Sequence, residues 1–426
     1  MKPSTVTASV DPRLRKHARA VIDYVTGGSV DLAEVNGVHL LYFVWYQLPA
    51  KWSAPAAELA EVAAAAAELM RAVGKPRIAE LIDAPKTSQI HRAWLVDRSR
   101  AIRLMRTALA ASGLVPPDTD LLQWSSIMGV AESKAHLVLG GALEQAIDTG
   151  VFVPGQTGWK RIQANLAEAW LTTRSVSFGG AQPLDAIHAE RRQAWLDQPP
   201  VARRAALTPI LPALDRPGRA EDTPGPLRSL LELVGDGVAL TPAGYLPTTL
   251  VATASQWYPE WLKYGRVRSE SDSGALLQLR QFAEEAKLLT RRSRRLTVSA
   301  SGRAAMRDPG RLDRLAAEAW LRSRNEFVDA VAEVAAAVLL RHDLRSDDVV
   351  DQIDPVVSPT FRDAAGGPPS RLDIQRAYWS WLRIGRTLGY LPEAFEFDEP
   401  DRLTEAGRAA AIAGLRARAY GPRNRP

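Results

Sequence analysis

The densest cationic stretch of this 426-residue chain is Leu288-Leu289-Thr290-Arg291-Arg292-Ser293-Arg294-Arg295-Leu296-Thr297-Val298. Apolar residues flank it and arginines crowd its middle, the pattern of a β-hairpin with Arg291, Arg292, Arg294 and Arg295 at its tip. Each guanidinium is a permanently charged planar fork that matches a phosphate. Together they can neutralise several phosphates, with an affinity that falls steeply as salt rises. Just upstream, the helix expected over Ala275–Lys287 turns Gln278, Gln281 and Glu285 outward, with Arg280 and Glu284 at the edges. Gln278, Arg280 and Gln281 carry the donors and acceptors that read base edges in a groove. Glu284 and Glu285 oppose such a contact. A plainer reading competes. Of the 54 basic residues 45 are Arg, and Ala is abundant, the bias of a GC-rich, bacterial-like coding sequence. On that reading the tip is an ordinary solvated one.

Other chemistry is thinly represented. The chain has no cysteine, which removes thiolate nucleophiles, disulfides, zinc fingers and iron–sulfur ligation together. His17, His39, His91, His136, His188 and His342 lie too far apart in sequence for a helix-borne metal pair. Gly155-Gln156-Thr157-Gly158-Trp159-Lys160 only superficially resembles a phosphate-binding loop, and no Gly-x-Ser-x-Gly elbow occurs. The sequence predicts no catalytic residue, no metal and no cofactor, and leans away from an enzyme. A catalytic site in the N-terminal helices is the weakest of three readings. Two further basic clusters, Arg13-Arg15-Lys16-Arg19 and Arg416-Arg418-Arg423-Arg425, read as solvated faces.

Composition bounds the rest. A formal charge of +6 spread over the chain is a mild excess that only local clustering turns into a nucleic-acid footprint. The 46% hydrophobic content is enough to build cores. No run approaches the roughly 18 apolar residues of a membrane span, and Met1–Val6 lacks the apolar core of a secretory signal. A cytoplasmic protein without a membrane partner is expected.

Hydrophobic periodicity predicts a mainly α chain. Helices over 11–24, 38–45, 53–73, 96–111 and 132–148, and one starting at Trp159, assign residues 1–175 to one helical domain. Ser53 reads as a helix cap, and Trp159, Ile162, Leu166 and Trp170 as one buried face. Residues 176–225 read as a Pro-rich boundary with a single helix, Leu184–Leu196, and 217–226 as the best linker. Residues 226–310 run helix, short strand at Val238-Ala239-Leu240, helix from Thr241 or Pro242 to about Ser255, polar loop at Ser269–Gly274, helix, basic hairpin, closing helix. Residues 311–426 hold a helical stretch over 311–342, one helix or a kinked pair. A loop over 355–369, a helix over 371–388, an acidic segment over 393–401 and a final helix to about Ala419 follow.

Two places repeat. Val298-Ser299-Ala300-Ser301-Gly302-Arg303-Ala304 can be laid on Leu403-Thr404-Glu405-Ala406-Gly407-Arg408-Ala409, with one extra residue in the first. Upstream, Leu288-Leu289 and Tyr390-Leu391 each lead from an amphipathic helix into a hairpin. Leu240-Thr241-Pro242-Ala243-Gly244 shares the strand-to-helix join. The hydroxyl can cap the new helix and the glycine can relieve crowding at the turn. This arrangement resembles the winged helix-turn-helix superfamily, most clearly over 226–308 and less clearly over 326–418. The resemblance implies two winged-helix-like units with small β-hairpins behind the N-terminal helices. It also implies a reading helix at Ala275–Lys287 and a wing at Thr290–Leu296. The second wing departs from a DNA-binding pattern, because Glu393, Glu396, Asp398, Glu399 and Asp401 would make it acidic. The leading expectation is a DNA-binding protein, a regulator, that contacts double-stranded DNA through the central winged helix. Its N-terminal domain would then serve self-association or a protein partner. The alternative is a protein-interaction or scaffold component that uses winged helices as packing modules.

Overall fold

The computed structural model describes residues 6–7, 9–27, 35–215, 225–259, 269–323, 325–392 and 399–423. It is mainly helical, with one small antiparallel sheet. The chain forms two compact units, Met1–Arg191 with Pro422–Pro426, and Arg192–Gly421.

In the first unit, α1 (Arg15–Thr26) precedes α2 (Gly37–Tyr42), which Asn36 caps by accepting from the Val38 amide at 2.8 Å. A widened turn, Phe43–Gln47, and a last turn, Leu48–Lys51, continue α2. Leu40, Leu41, Phe43, Val44, Trp45 and Leu48 are all buried, as an uninterrupted apolar run demands. Helix α3 (Ala56–Ala72) adds Leu59, Val62, Ala66, Leu69 and Met70 to that core. Its cap is Pro55, in an extended conformation, and not Ser53. The helices α4 (Pro76–Asp83) and α5 (Pro85–Val96) each start on a proline, whose missing N–H costs nothing there. Asp97 caps α6 (Arg98–Ser112), which is the helix expected over 96–111 with its start two residues later, because Val96 ends α5. After α7 (Val130–Asp148), helix α8 (Trp159–Thr172) buries Gln163, Ala167 and Leu171 while Ile162 faces solvent. Trp159, Leu166 and Trp170 of the expected face are half-buried against the core, which centres instead on Gln163, donating to the Gly113 and Val115 carbonyls. Helix α9 (Pro183–Leu196) carries the chain into the second unit.

The second unit opens with α10 (Val201–Leu207) and α11 (Leu211–Asp215), which bury Leu207 and Leu214. The Pro-rich stretch is thus helical and part of a core, not an extended boundary with one helix. Its prolines start turns where no donor is needed. The expected linker, 217–226, lies almost wholly outside the described residues. Then come α12 (Gly225–Val234), β1 (Val238–Ala239), α13 (Thr248–Trp257), α14 (Gly274–Glu285), β2 (Leu289–Arg292), β3 (Arg295–Val298) and α15 (Ala300–Arg307). The sheet order is β1-β3-β2, with both pairings antiparallel. Helix α13 starts at Thr248, not at Thr241 or Pro242. The Tyr245 carbonyl accepts from the Thr241 amide, and Gly244 at φ +83° closes a turn before Pro247 sets the helix start.

Helices α16 (Pro309–Trp320) and α17 (Glu326–Leu339) replace the single stretch, with Asn325 capping the second. Next come α18 (Ser346–Val357), α19 (Arg371–Thr387) and α20 (Glu405–Tyr420). Pro355 belongs to the last turn of α18, not to the loop; its missing donor deprives only Asp351, on the solvent side. The buried carboxylate of Glu333 on α17 ties the unit together. It accepts from Trp195 Nε1 at 2.7 Å, Arg203 Nη2 at 2.8 Å and Arg418 Nε at 2.8 Å.

The two repeats build the same joint. In one, the Leu288 carbonyl accepts from the Ser299 amide and Ser299 Oγ caps Gly302 N at 2.9 Å. In the other, the Tyr390 carbonyl accepts from the Thr404 amide and Thr404 Oγ1 caps Gly407 N at 3.0 Å. The two stretches superpose residue for residue, so the extra residue expected in the first does not exist. A Cβ on Gly302 or Gly407 would strike the Leu288 or Tyr390 carbonyl oxygen. The second copy has no hairpin strands among its described residues. An isolated bridge, Leu344 to Asp401, stands where β1 meets β3 in the first.

Gly302→Ala and Gly407→Ala are expected to cost about 1–3 kcal/mol each despite alanine's higher helix propensity. Gly274→Ala, with open space around it, is the control and should stay within about 0.5 kcal/mol in the same denaturation series. A second expectation concerns acid. Burial pushes the Glu333 carboxyl up, but Arg418, Arg203 and the Trp195 bond outweigh it and hold it below its ordinary 4.5. The resulting stability is present above about pH 4.5 and is lost as pH falls through the lower folded value. Glu333→Gln should therefore be less stable at pH 7 and lose less on acidification, read by thermal unfolding against pH.

Candidate nucleic-acid interface

Leu288, Leu289, Leu296 and Val298 are buried and anchor the β2–β3 hairpin in the core of the second unit. The register pairs Leu289 with Val298, Thr290 with Thr297, Arg291 with Leu296, and Arg292 with Arg295. Only Ser293 and Arg294 remain for the turn, and Ser293 takes a left-handed φ of 53° to close it. The Leu240 amide donates to the Arg294 carbonyl at 2.8 Å, so β1 braces the tip from the side.

Arg291, Arg292, Arg294 and Arg295 are all exposed. Among the described residues no carboxylate forms an ion pair with any of them. Arg295 reaches the Asp236 carbonyl at 3.5 Å, and the Arg291 guanidinium lies against the turn at Gly244. Arg292 and Arg295 stand directly across from each other. Like charges in that position destabilise a sheet by some tenths of a kcal/mol, up to about 1.

The helix before the hairpin is arranged differently from the sequence expectation. Gln281 is exposed and Gln278 half-buried, but Arg280 is only 4% exposed. Its Nε donates to Glu270 Oε1 at 2.6 Å, and its Nη1 bonds Glu284. Burial pulls the guanidinium pKa down, yet the bonds and charges of Glu270 and Glu284 outweigh this and leave it raised. Arg280 is therefore withdrawn from the candidate contact residues. Glu270, expected in a polar loop, is fully buried, and its second oxygen accepts from the Leu246 amide at 2.8 Å. Periodicity could not reveal this, because the partner comes from another turn. The Ser269-x-x-Asp272 capping box that swings Glu270 inward was legible.

Of the other basic clusters, Arg13, Arg15, Lys16 and Arg19 are exposed, as expected of a solvated face, whereas the C-terminal one is engaged within the fold. Arg418 pairs with Glu333 and Asp329, Arg416 bonds the Leu214 carbonyl, and Arg423 lies 3.6 Å from Glu190. Arg425 lies outside the described residues. Glu393, Glu396 and Asp398 of the expected acidic wing do too, whereas Glu399 is exposed and Asp401 is buried. In the first unit, the buried carboxylates Glu132 and Glu144 are matched by Arg191 at 2.5 Å and Lys75 at 2.9 Å. Burial lowers the His136 pKa to about 4, so that ring is neutral at neutral pH. Among the described residues no His, Asp and Glu cluster could hold a metal, and no helix is long and apolar enough to cross a membrane.

The chain matches no protein-family model, no curated protein and no solved structure.

Arg280→Met should destabilise the protein by about 3–5 kcal/mol by stranding the Glu270 charge in the core. The double change Arg280→Met with Glu270→Gln should recover part of that loss. Chemical denaturation of the three proteins measures both effects.

Proposed function

We propose that residues 225–308 are a winged helix and that the protein is a cytoplasmic DNA-binding regulator whose β2–β3 hairpin grips duplex phosphates. The observation that carries this reading is the arginine quartet. Four exposed guanidiniums lie in or beside one braced two-residue turn, and two of them face each other across the strands at a cost to folding. A polyanion offsets that repulsion and provides the bidentate acceptors that guanidinium matches. Two features agree: the order helix, strand, helix, helix, hairpin, helix, and the sheet order β1-β3-β2.

A second reading, a protein-interaction component that uses such units as packing modules, draws on one feature. An apolar groove between α12, α13 and α14 is lined by Leu230, Leu233, Trp257 and Leu279, and its Trp257 is 48% exposed.

Mobility shifts of the full chain on duplex DNA test the first reading. With up to four phosphate contacts, log affinity should fall against log salt with a slope of up to about −3.6. Changing Arg291, Arg292, Arg294 and Arg295 together to Ala should flatten that slope and weaken binding by at least about tenfold at low salt. Unaltered binding by this variant would remove the hairpin from the interface.

A further inference from the structure

We infer that the hairpin holds the duplex without any base-reading helix, so that binding is indifferent to DNA sequence. The inference rests on the duplex-binding reading above and specifies what kind of duplex that site takes.

The helix in the position to read bases is α14, and its surface is largely used up. Leu276, Leu279, Phe282 and Ala283 are buried, and so is Arg280 on the adjoining face. In addition, α19 packs against α14. A helix with its side chains is about 10–12 Å across, close to the roughly 12 Å width of the major groove. A groove of that width takes only the outer face of a packed helix, so the side chains on that face decide what can be read.

What α14 still presents to solvent is a narrow stripe, the half-buried Gln278 with exposed Gln281 and Glu285. Glu285 lies one turn from Gln281 and repels the phosphates that a groove-bound helix must pass. The one guanidinium on the helix is locked inward by Glu270 and Glu284. What is left on this face is two glutamines beside a carboxylate, with no cation to hold the helix against the phosphates that line a groove.

The hairpin has the opposite character. Its tip is narrow and entirely exposed, and its cations are unpaired among the described residues. Contacts from arginine to phosphate oxygens fix position but carry no base information. A site made only of these holds any duplex by its backbone.

Selection by the full chain from a pool of randomised duplexes tests this, alongside affinity measured by fluorescence anisotropy. No motif should be enriched. Gln278→Ala with Gln281→Ala should bind within about twofold of the original protein. Replacing the four arginines together by Lys should retain affinity within about threefold, whereas the Ala variant loses at least about tenfold, as expected of charge acting on phosphate. All these positions are exposed or half-buried, and circular dichroism checks that each variant is folded. An enriched motif whose binding disappears in the Gln278/Gln281 variant would overturn the inference by placing α14 in a groove. A preference for A·T tracts lost with the arginines would also overturn it, by making the hairpin a minor-groove reader. If the original protein binds no duplex even at low salt, the duplex reading itself fails. That outcome differs from sequence-selective binding, which would leave the duplex reading standing and sink only the inference.

Discussion

At both copies of its joint the second unit brings a helix so close to a carbonyl oxygen that no side chain fits between them. Gly302 meets the Leu288 oxygen and Gly407 the Tyr390 oxygen. The same carbonyls accept the amides of Ser299 and Thr404, the residues that cap those helices. One oxygen therefore fixes both the return of the chain and the start of the closing helix. The exposed hairpin follows from this joint, since β2 and β3 leave from it and come back to it.

The two copies of the joint have diverged in what they support. In the first, Leu296 sits beside β1 in the core and the strands beyond it carry arginines. The matching position in the second is Asp401, buried and accepting from Tyr378 Oη at 2.9 Å and Arg386 Nη2 at 2.9 Å. With Ser346 Oγ of α18 donating to it at 2.5 Å as well, this carboxylate fills with polar bonds a core position that the first copy fills with a leucine. Burial and the nearby Asp401 charge raise the Tyr378 pKa, keeping that phenol a donor. Helices α14 and α19, which precede the two joints, pack against each other.

How much of this could be read from the residues depended on whether the information was local. The Gly-Arg-Ala repeat, its Ser299 and Thr404 caps and the arginine tip are local, and the structure reproduces them, whereas the cap expected at Ser53 falls on Pro55. Ile162 misled because the buried centre of α8 was decided by Gln163 reaching carbonyls about 50 positions away. Arg280 misled for a similar reason. Its place at the edge of a helical wheel fits solvent equally well until Glu270 arrives from the preceding turn. The prolines between 199 and 212 suggested extended chain, but at helix starts a proline costs little, and Leu207, Ile210 and Leu214 supplied the burial that decided the matter. The site divides along the same line: the hairpin cations were visible, while the loss of the one cation on the helix beside them depends on Glu270 reaching Arg280.

Strand β2 lies at the edge of its sheet, with one row of backbone donors and acceptors not taken up by β3. An edge of this kind is a template on which another chain can add a strand. Arg291 and Arg292 occupy half of that four-residue edge. A second copy approaching in register would bring matching charges alongside them. The hairpin's arginines thus also protect the protein from its own kind, keeping an exposed strand from seeding sheet growth between molecules.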